Sequence, residues 1–266
     1  KQLTSIGKSR SIELSSATGL WVQKEYGFKD DFLKLVREEH GAEVNEVDYA
    51  GAPGAALGSI NAWIKKNTHG KIPQGLTPNP VTPDTRLVLA NAIYFKGQWE
   101  SRFNRNSTRI QQFHVDATTP VDLAMMNQEH DFLYAEQENV QLLVLPYVGQ
   151  KLHMLVLLPA QGGIAALENQ LNARGLETWL NKVQLCNVDV SLPRFNITSS
   201  HSLVQPLQSL GMRDAFDSAR ADFSGISKQR PLFIQTAKQT CIVEVNEEGT
   251  VAAAATHLGF GCAATI

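Results

Sequence analysis

Residues 87–95 read LVLANAIYF, apolar at every position except Asn91. A near-continuous apolar run of this length is the pattern of a strand covered on both faces, so the chain must build a sheet with a layer on either side. Asn91 would then be buried inside that sandwich. Strand-like and helix-like segments alternate over the rest of the chain, and no linker divides them. The class is α+β with large sheets, in one domain over residues 1–266.

The other elements follow from periodicity. Residues 12–22 predict a strand, with Gly19 inside it as a bulge or close-approach signal. Phe28, Phe32, Leu35 and Val36 fall at helical spacing among charges. A second helix is predicted over about 55–66, with Leu57, Ile60 and Ile64 on one face, stopped at Thr68-His69-Gly70. Residues 75–83 carry three prolines and form a loop. Residues 141–145 and 152–158 flank a turn and predict a β-hairpin. A helical segment near 164–180 precedes a strand over 188–197. Leu203, Leu207 and Leu210 mark a short helix with Pro206 in its first turn, and 232–246 is a long strand.

Charge and composition exclude several functions. The 24 basic and 26 acidic residues are interspersed, so there is no basic face for nucleic acid or an anionic membrane. No apolar run approaches a membrane span. Cys186, Cys241 and Cys262 are too few and too far apart for a disulfide framework. Ser5-Ile6-Gly7-Lys8 fits the Ser-x-x-Lys pattern of β-lactamase-like acyltransferases, but the Ser-Asp-Asn and Lys-Thr-Gly elements this chemistry needs do not occur. There is no nucleophile elbow, phosphate loop or His-Glu-x-x-His. Gln128-Glu129-His130 reads as a solvated polar segment. Nothing assembles into a catalytic constellation, and no cofactor or metal is implied.

The informative stretch is Glu247-Glu248-Gly249-Thr250 and the alanine-rich residues after it, directly following a strong strand. Thr250, Ala252, Ala254 and Thr256 are small and uncharged at every second position. Alanine does not favour strands intrinsically. A segment this small suits a loop that slides between two existing strands, where bulk would clash and charge would lose its water. Gly249 supplies backbone freedom for a hinge.

With these residues in view the sequence resembles the serpin family along its whole length. Ile60-Asn61-x-Trp63-Ile64 with Thr68-x-Gly70-Lys71-Ile72 is similar to the serpin helix that crosses the main sheet. Residues 89–99 resemble a central-sheet strand and its exit. Met125-Met126, Leu145-Pro146-Tyr147, Leu157-Leu158-Pro159, Leu192-Pro193-Arg194-Phe195, Leu210-Gly211-Met212 and Ala221-Asp222-Phe223-Ser224-Gly225 follow in family order. The resemblance implies the serpin fold: a large, mainly antiparallel central β-sheet with additional sheets and surrounding helices. It also implies a fragment, lacking the family's N-terminal helices and the segment after the reactive loop. The expectation is therefore a cleaved form, with the loop at 247–266 inserted as an extra strand.

The resemblance further implies an inhibitor of serine endopeptidases that acts as a suicide substrate and is not an enzyme. The insertable hinge residues Glu247, Gly249, Thr250, Ala252, Ala254 and Thr256 favour this over a non-inhibitory carrier or chaperone. Family loop length places the reactive bond at Ala263-Ala264, within a window of 262–266. The small residues there fit an elastase-like or subtilisin-like protease, and Cys262 is read as an incidental small residue. Asn91 and Gln239 match the shutter of the sheet, Gln239 standing where the family usually has histidine. Trp99 matches the breach. The implied partners are the target protease and the remaining fragments of the same serpin, with no nucleic acid, no membrane and a monomeric state. Asn106-Ser107-Thr108 and Asn196-Ile197-Thr198 are glycosylation sequons, a short pattern that arises often by chance and needs a secretory context. An extracellular location is what the family resemblance implies, with an intracellular one left open.

Overall fold

The computed structural model describes residues 11–75, 81–115, 119–137, 139–159, 163–229 and 232–261. These residues pack as two compact units, each drawing on early and late parts of the chain. One comprises residues 14–95, 197–243 and 252–261; the other comprises 11–13, 96–196 and 244–251.

The first unit is organised on a six-stranded sheet. Its strands are β1 (Ile12–Gln23), β2 (Glu43–Val47), β3 (Thr85–Gln98), β9 (Phe195–Ser202), β10 (Phe233–Asn246) and β11 (Gly249–Gly261), in the order β2-β1-β3-β11-β10-β9. Helix α1 (Asp30–Glu38) carries the chain between β1 and β2, which pair parallel from Gly19↔Glu43 to Gln23↔Val47. Parallel neighbours need such a crossover. Leu20, Val22, Tyr26, Leu87, Leu232, Ile234 and Phe260 form a buried core, with Phe28, Phe32, Leu33 and Val36 packed against it.

Helix α2 (Pro53–Asn67) begins on a proline and buries Ala56, Ile60, Trp63 and Ile64, a stripe at helical spacing. Ala56 and Trp63 join that stripe, while Leu57 is only half-buried. Trp63 meets Trp21 of β1 edge-on, with ring centroids 5.3 Å apart, and its Nε1 donates to Glu43 on β2 at 2.9 Å. This explains Gly19: a Cβ there would lie 2.5 Å from the Trp21 ring and 3.1 Å from Trp63. The glycine is a close-approach site for an aromatic pair.

The second unit holds a five-stranded sheet of β4 (Arg109–His114), β5 (Pro120–Gln137), β6 (Val140–Pro146), β7 (His153–Pro159) and β8 (Gln184–Pro193). The order is β4-β5-β6-β7, with β8 also on β5. The 18-residue β5 is shared out along its length. β4 pairs from Pro120 to Met125, β8 from Met125 to Tyr134, and β6 from Leu133 to Gln137, all antiparallel. The 6–7 hairpin occurs as read from sequence.

Three readings change. Glu129 and His130 are exposed but Gln128 is half-buried and bonded to Ser101, and all three lie in the middle of β5, where pairing with Val190, Asp189 and Val188 holds the backbone. The helix near 164–180 is two helices, α3 (Gly163–Gln170) and α4 (Ala173–Leu180), because the Asn172 side chain caps α4 by accepting from the Gly175 N–H at 2.9 Å. The strand over 188–197 breaks at Arg194, following Pro193, so that β8 and β9 belong to different sheets. The short helix α5 (Val204–Ser209) has Pro206 in its first turn as expected.

Candidate functional site

The segment after β10 turns tightly at Glu247-Glu248 and returns as β11, which runs between β3 and β10. Every residue from Gly249 to Gly261 is strand, so the alanine-rich segment is seated inside the sheet.

Its first turn is fixed by a cluster within one unit. The Asn246 side-chain oxygen accepts from the Glu248 and Gly249 N–H groups at 3.0 and 3.3 Å. The Glu247 carbonyl accepts from the Phe103 N–H at 3.1 Å, and the Glu248 carbonyl from the Trp99 N–H at 3.0 Å. The Glu247 side chain is buried, accepts from the Thr108 hydroxyl at 2.8 Å and lies 3.8 Å from the Arg194 guanidinium. Burial opposes the charge on Glu247. Its own backbone N–H, Thr108, Arg194 and Arg105 outweigh burial and hold the carboxyl below the ordinary carboxylate range. Glu248 remains exposed, paired with Arg105 at 2.6 Å.

Trp99 is 1% exposed, and its indole N–H donates to the Asn246 carbonyl at 2.9 Å. Its ring stacks on Tyr147 at 4.8 Å, and the Tyr147 hydroxyl donates to Thr250 at 2.9 Å. Gly249 has a steric role here. A Cβ at this position would overlap the carbonyl oxygen of Gly97, with the Cα of Gln98 at 2.9 Å. The small residue lets β11 approach the end of β3.

Farther along, β11 presents two faces. Ala253, Ala255 and His257 are buried to 3%, 0% and 2% exposure, whereas Ala252, Ala254 and Thr256 are half-buried. The more deeply buried row is thus the odd-numbered one after Thr250. Because residues 252–255 are all alanine, either face of the strand can enter a sheet. Gln239 on β10 donates to the Thr256 hydroxyl at 3.2 Å. Asn91 is half-buried, not fully buried as its sequence context predicts, because its amide is used at a seam. It donates to Ser16, the Ala17 carbonyl and Thr18 at 3.3, 3.1 and 3.1 Å, tying β3 to β1.

The structure therefore brings Trp99, Glu247, Gly249 and Thr250 into one cluster, and places Gln239 with Thr256. Cys262, Ala263 and Ala264 lie outside the described residues, as does Ser5. Thr108, Arg194, Tyr147 and His257 are participants that sequence reasoning did not single out. The Leu145-Pro146-Tyr147 and Leu192-Pro193-Arg194 matches were the signals that touched two of them. Among the described residues no group of three or more His, Cys, Asp or Glu side chains could hold a metal, and no helix is long and apolar enough to cross a membrane. Asn106 and Asn196 of the two sequons are both exposed.

The family described as Serpin (serine protease inhibitor) matches residues 1–265. The chain is a serpin. Human leukocyte elastase inhibitor is 39% identical over 258 residues, covering 94% of this serpin and 68% of that protein. Bovine Serpin B10 is 37% identical over 253 residues, covering 93% of the chain and 64% of the relative. A serpin-like protein of Thermococcus kodakarensis is 39% identical over 91% of the chain and 56% of its own length. The chain thus spans roughly two thirds or less of the relatives it matches. Among solved structures, a loop-inserted, cleaved ovalbumin mutant superposes with a TM-score of 0.93 at 30% identity, covering 98% of this serpin and 70% of that chain. Reactive-loop-cleaved human thyroxine-binding globulin superposes at 0.91 with 28% identity, covering 98% of this serpin and 76% of that chain. The serpin fold is shared by inhibitory and non-inhibitory members.

Proposed function

We propose that this serpin inhibits serine endopeptidases as a suicide substrate. The observation that carries the reading is β11: a thirteen-residue strand seated between β3 and β10 whose first half is built from side chains small enough to enter a closed sheet. In the intact protein this segment is an exposed loop. A target protease attacks it and forms an acyl-enzyme at Ala263-Ala264. Cleavage removes the tether, and the loop gains hydrogen-bond ladders to both neighbours as it inserts. The fourteen residues from Thr250 to Ala263 span about 45 Å when extended. The acylated protease is carried that far, its oxyanion hole and triad are distorted, and the ester persists.

The hinge contacts fit this sequence of events. Thr250 enters first and is received by Tyr147, beside the Trp99 indole that anchors the turn. Asn91 and Gln239 act at the shutter, the first holding β3 to β1 and the second gripping Thr256 once it arrives. The target is elastase-like or subtilisin-like, supported by the small residues at 262–266 and by relatives named leukocyte elastase inhibitor. An extracellular location is proposed on the two exposed sequons alone, and a glycosidase-sensitive mass shift checks it.

Incubating the full-length protein with elastase and with trypsin tests the reading. A denaturant-resistant elastase adduct, with the acyl bond mapped between Cys262 and Ile266, is the expected result. Clean cleavage that leaves elastase fully active would instead favour the carrier or chaperone reading, to which the likeness to thyroxine-binding globulin lends support.

A further inference from the structure

His257 is the one titratable side chain in β11. It lies on the deeply buried row with Ala253 and Ala255, is 2% exposed, and neither ring nitrogen has a hydrogen-bond partner among the described residues. An imidazole in such a place is expensive if neutral and far more so if charged. The hinge mechanism makes no use of it.

We propose that His257 makes loop insertion sensitive to pH: the ring has to enter the sheet uncharged, so acidification slows insertion and diverts the protein from inhibitor to substrate. This rests on the inhibitory reading above and adds a regulatory property to it.

The surroundings offer the protonated ring no compensation. Gln239 bonds Thr256, which puts Lys238 across from His257 on β10, a cation beside a cation. The other charged residue of β10 is Glu244, six positions along the strand. β3 has no charged side chain between Arg86 and Lys96. The charges of α2 are Lys65 and Lys66, both exposed, and His69 beyond it is exposed and stacked on Tyr94. Among the described residues of β10, β3 and α2, no carboxylate is positioned to pair with an imidazolium.

Burial first, and Lys238 second, lower the pKa of His257 to about 4 in the inserted strand. In a solvated loop the ordinary value is about 6.5. Between these values the exposed loop holds a proton that the inserted strand rejects. The sign follows: insertion is unhindered above about pH 6.5 and is progressively disfavoured as pH falls toward 4. The penalty on the insertion equilibrium is about tenfold at pH 5.5 and about 30-fold at pH 5.

The test measures how many molecules of full-length inhibitor are consumed per elastase inactivated. It compares wild type with His257→Leu and His257→Ala at about pH 8 and about pH 5.5. Taking the ratio of wild type to variant at each pH cancels the pH dependence of the protease itself. The expected ratio is near one at the higher pH and clearly above one at the lower, with the roughly tenfold equilibrium penalty as its upper bound. A ratio that stays near one overturns the role of His257 while leaving the inhibitory reading intact. Failure of wild type to form an adduct even at about pH 8 overturns both. Two variants are used because leucine fills the site and alanine empties it, so a packing defect in one does not decide the outcome. Melting of the uncleaved forms checks that both fold.

Discussion

Tyr147 donates its hydroxyl hydrogen bond to Thr250 at 2.9 Å, and both residues are buried. The two lie 103 positions apart in sequence. The contact exists only because β11 begins beside the β6–β7 turn, with the Tyr147 ring held against Trp99. Any change at Thr250 therefore acts first on the seated strand, and only through it on the rest of the protein.

Replacing Tyr147 by Phe leaves the stack on Trp99 in place but strands the Thr250 hydroxyl. The loop-inserted form should lose about 1–3 kcal/mol, the cost of an unsatisfied buried hydroxyl. If Thr250 is in solvent before cleavage, as the proposed mechanism requires, the uncleaved protein should be nearly unaffected. Thermal melting of both forms checks this, and equal losses in the two would show that the contact predates insertion.

A charge at the same point is a harsher test. In the Thr250→Arg variant the guanidinium would have to enter a site that is 4% exposed, where Thr250 is met by the Tyr147 hydroxyl. Cleavage of the loop should proceed, but the gain in melting temperature that the proposed insertion predicts should shrink or vanish and elastase should stay active. A full gain on cleavage would mean that Thr250 does not enter the sheet.

The anchor of the turn is Glu247. Its carboxyl is held below the ordinary range, so its contribution is present above that range and lost as pH falls through the lowered value. Glu247→Gln keeps the shape and a possible bond to Thr108 but removes the attraction to Arg194. The variant should therefore melt lower than wild type at neutral pH, and the gap should close in acid. A gap independent of pH would assign the effect to packing. This acid dependence is distinct from that of His257, which sets in nearer pH 6 and acts on insertion, not on the turn.

Several elements were legible because their signals are local. The apolar run of β3, the hairpin of β6 and β7, and the stripe of α2 are each readable within a dozen residues. β2, β4 and β5 were missed for a common reason. The run from Asn127 to Asp131 is polar, and what makes it strand is lateral pairing with β8, some 60 residues later. β11 shows the same thing in sharper form. Four alanines in a row carry no strand preference, and the flanking strands impose the conformation. In the site, Trp99 and Glu247 were readable from family pattern. Thr108 was not, since it reaches Glu247 across 139 positions and carries no pattern of its own. The depth of His257 depends on which face of an all-alanine strand turns inward, and sequence alternation cannot decide that.

Gly19 gives a prediction that does not depend on the inhibitory mechanism. The Trp21 ring lies across it, and Trp63 closes the far side, so Gly19→Ala must push one of two indoles out of a buried, hydrogen-bonded position. Trp21 is held by Ser59 at 3.3 Å and Trp63 by Glu43 at 2.9 Å, so neither ring can move without breaking a bond. Overpacking of this kind costs about 1–3 kcal/mol. The variant should melt several degrees lower, with a changed tryptophan fluorescence spectrum in the folded state. A fluorescence change with no loss of stability would mean that the aromatic pair has a second arrangement of equal energy. No change in either would mean that Trp21 does not lie over Gly19.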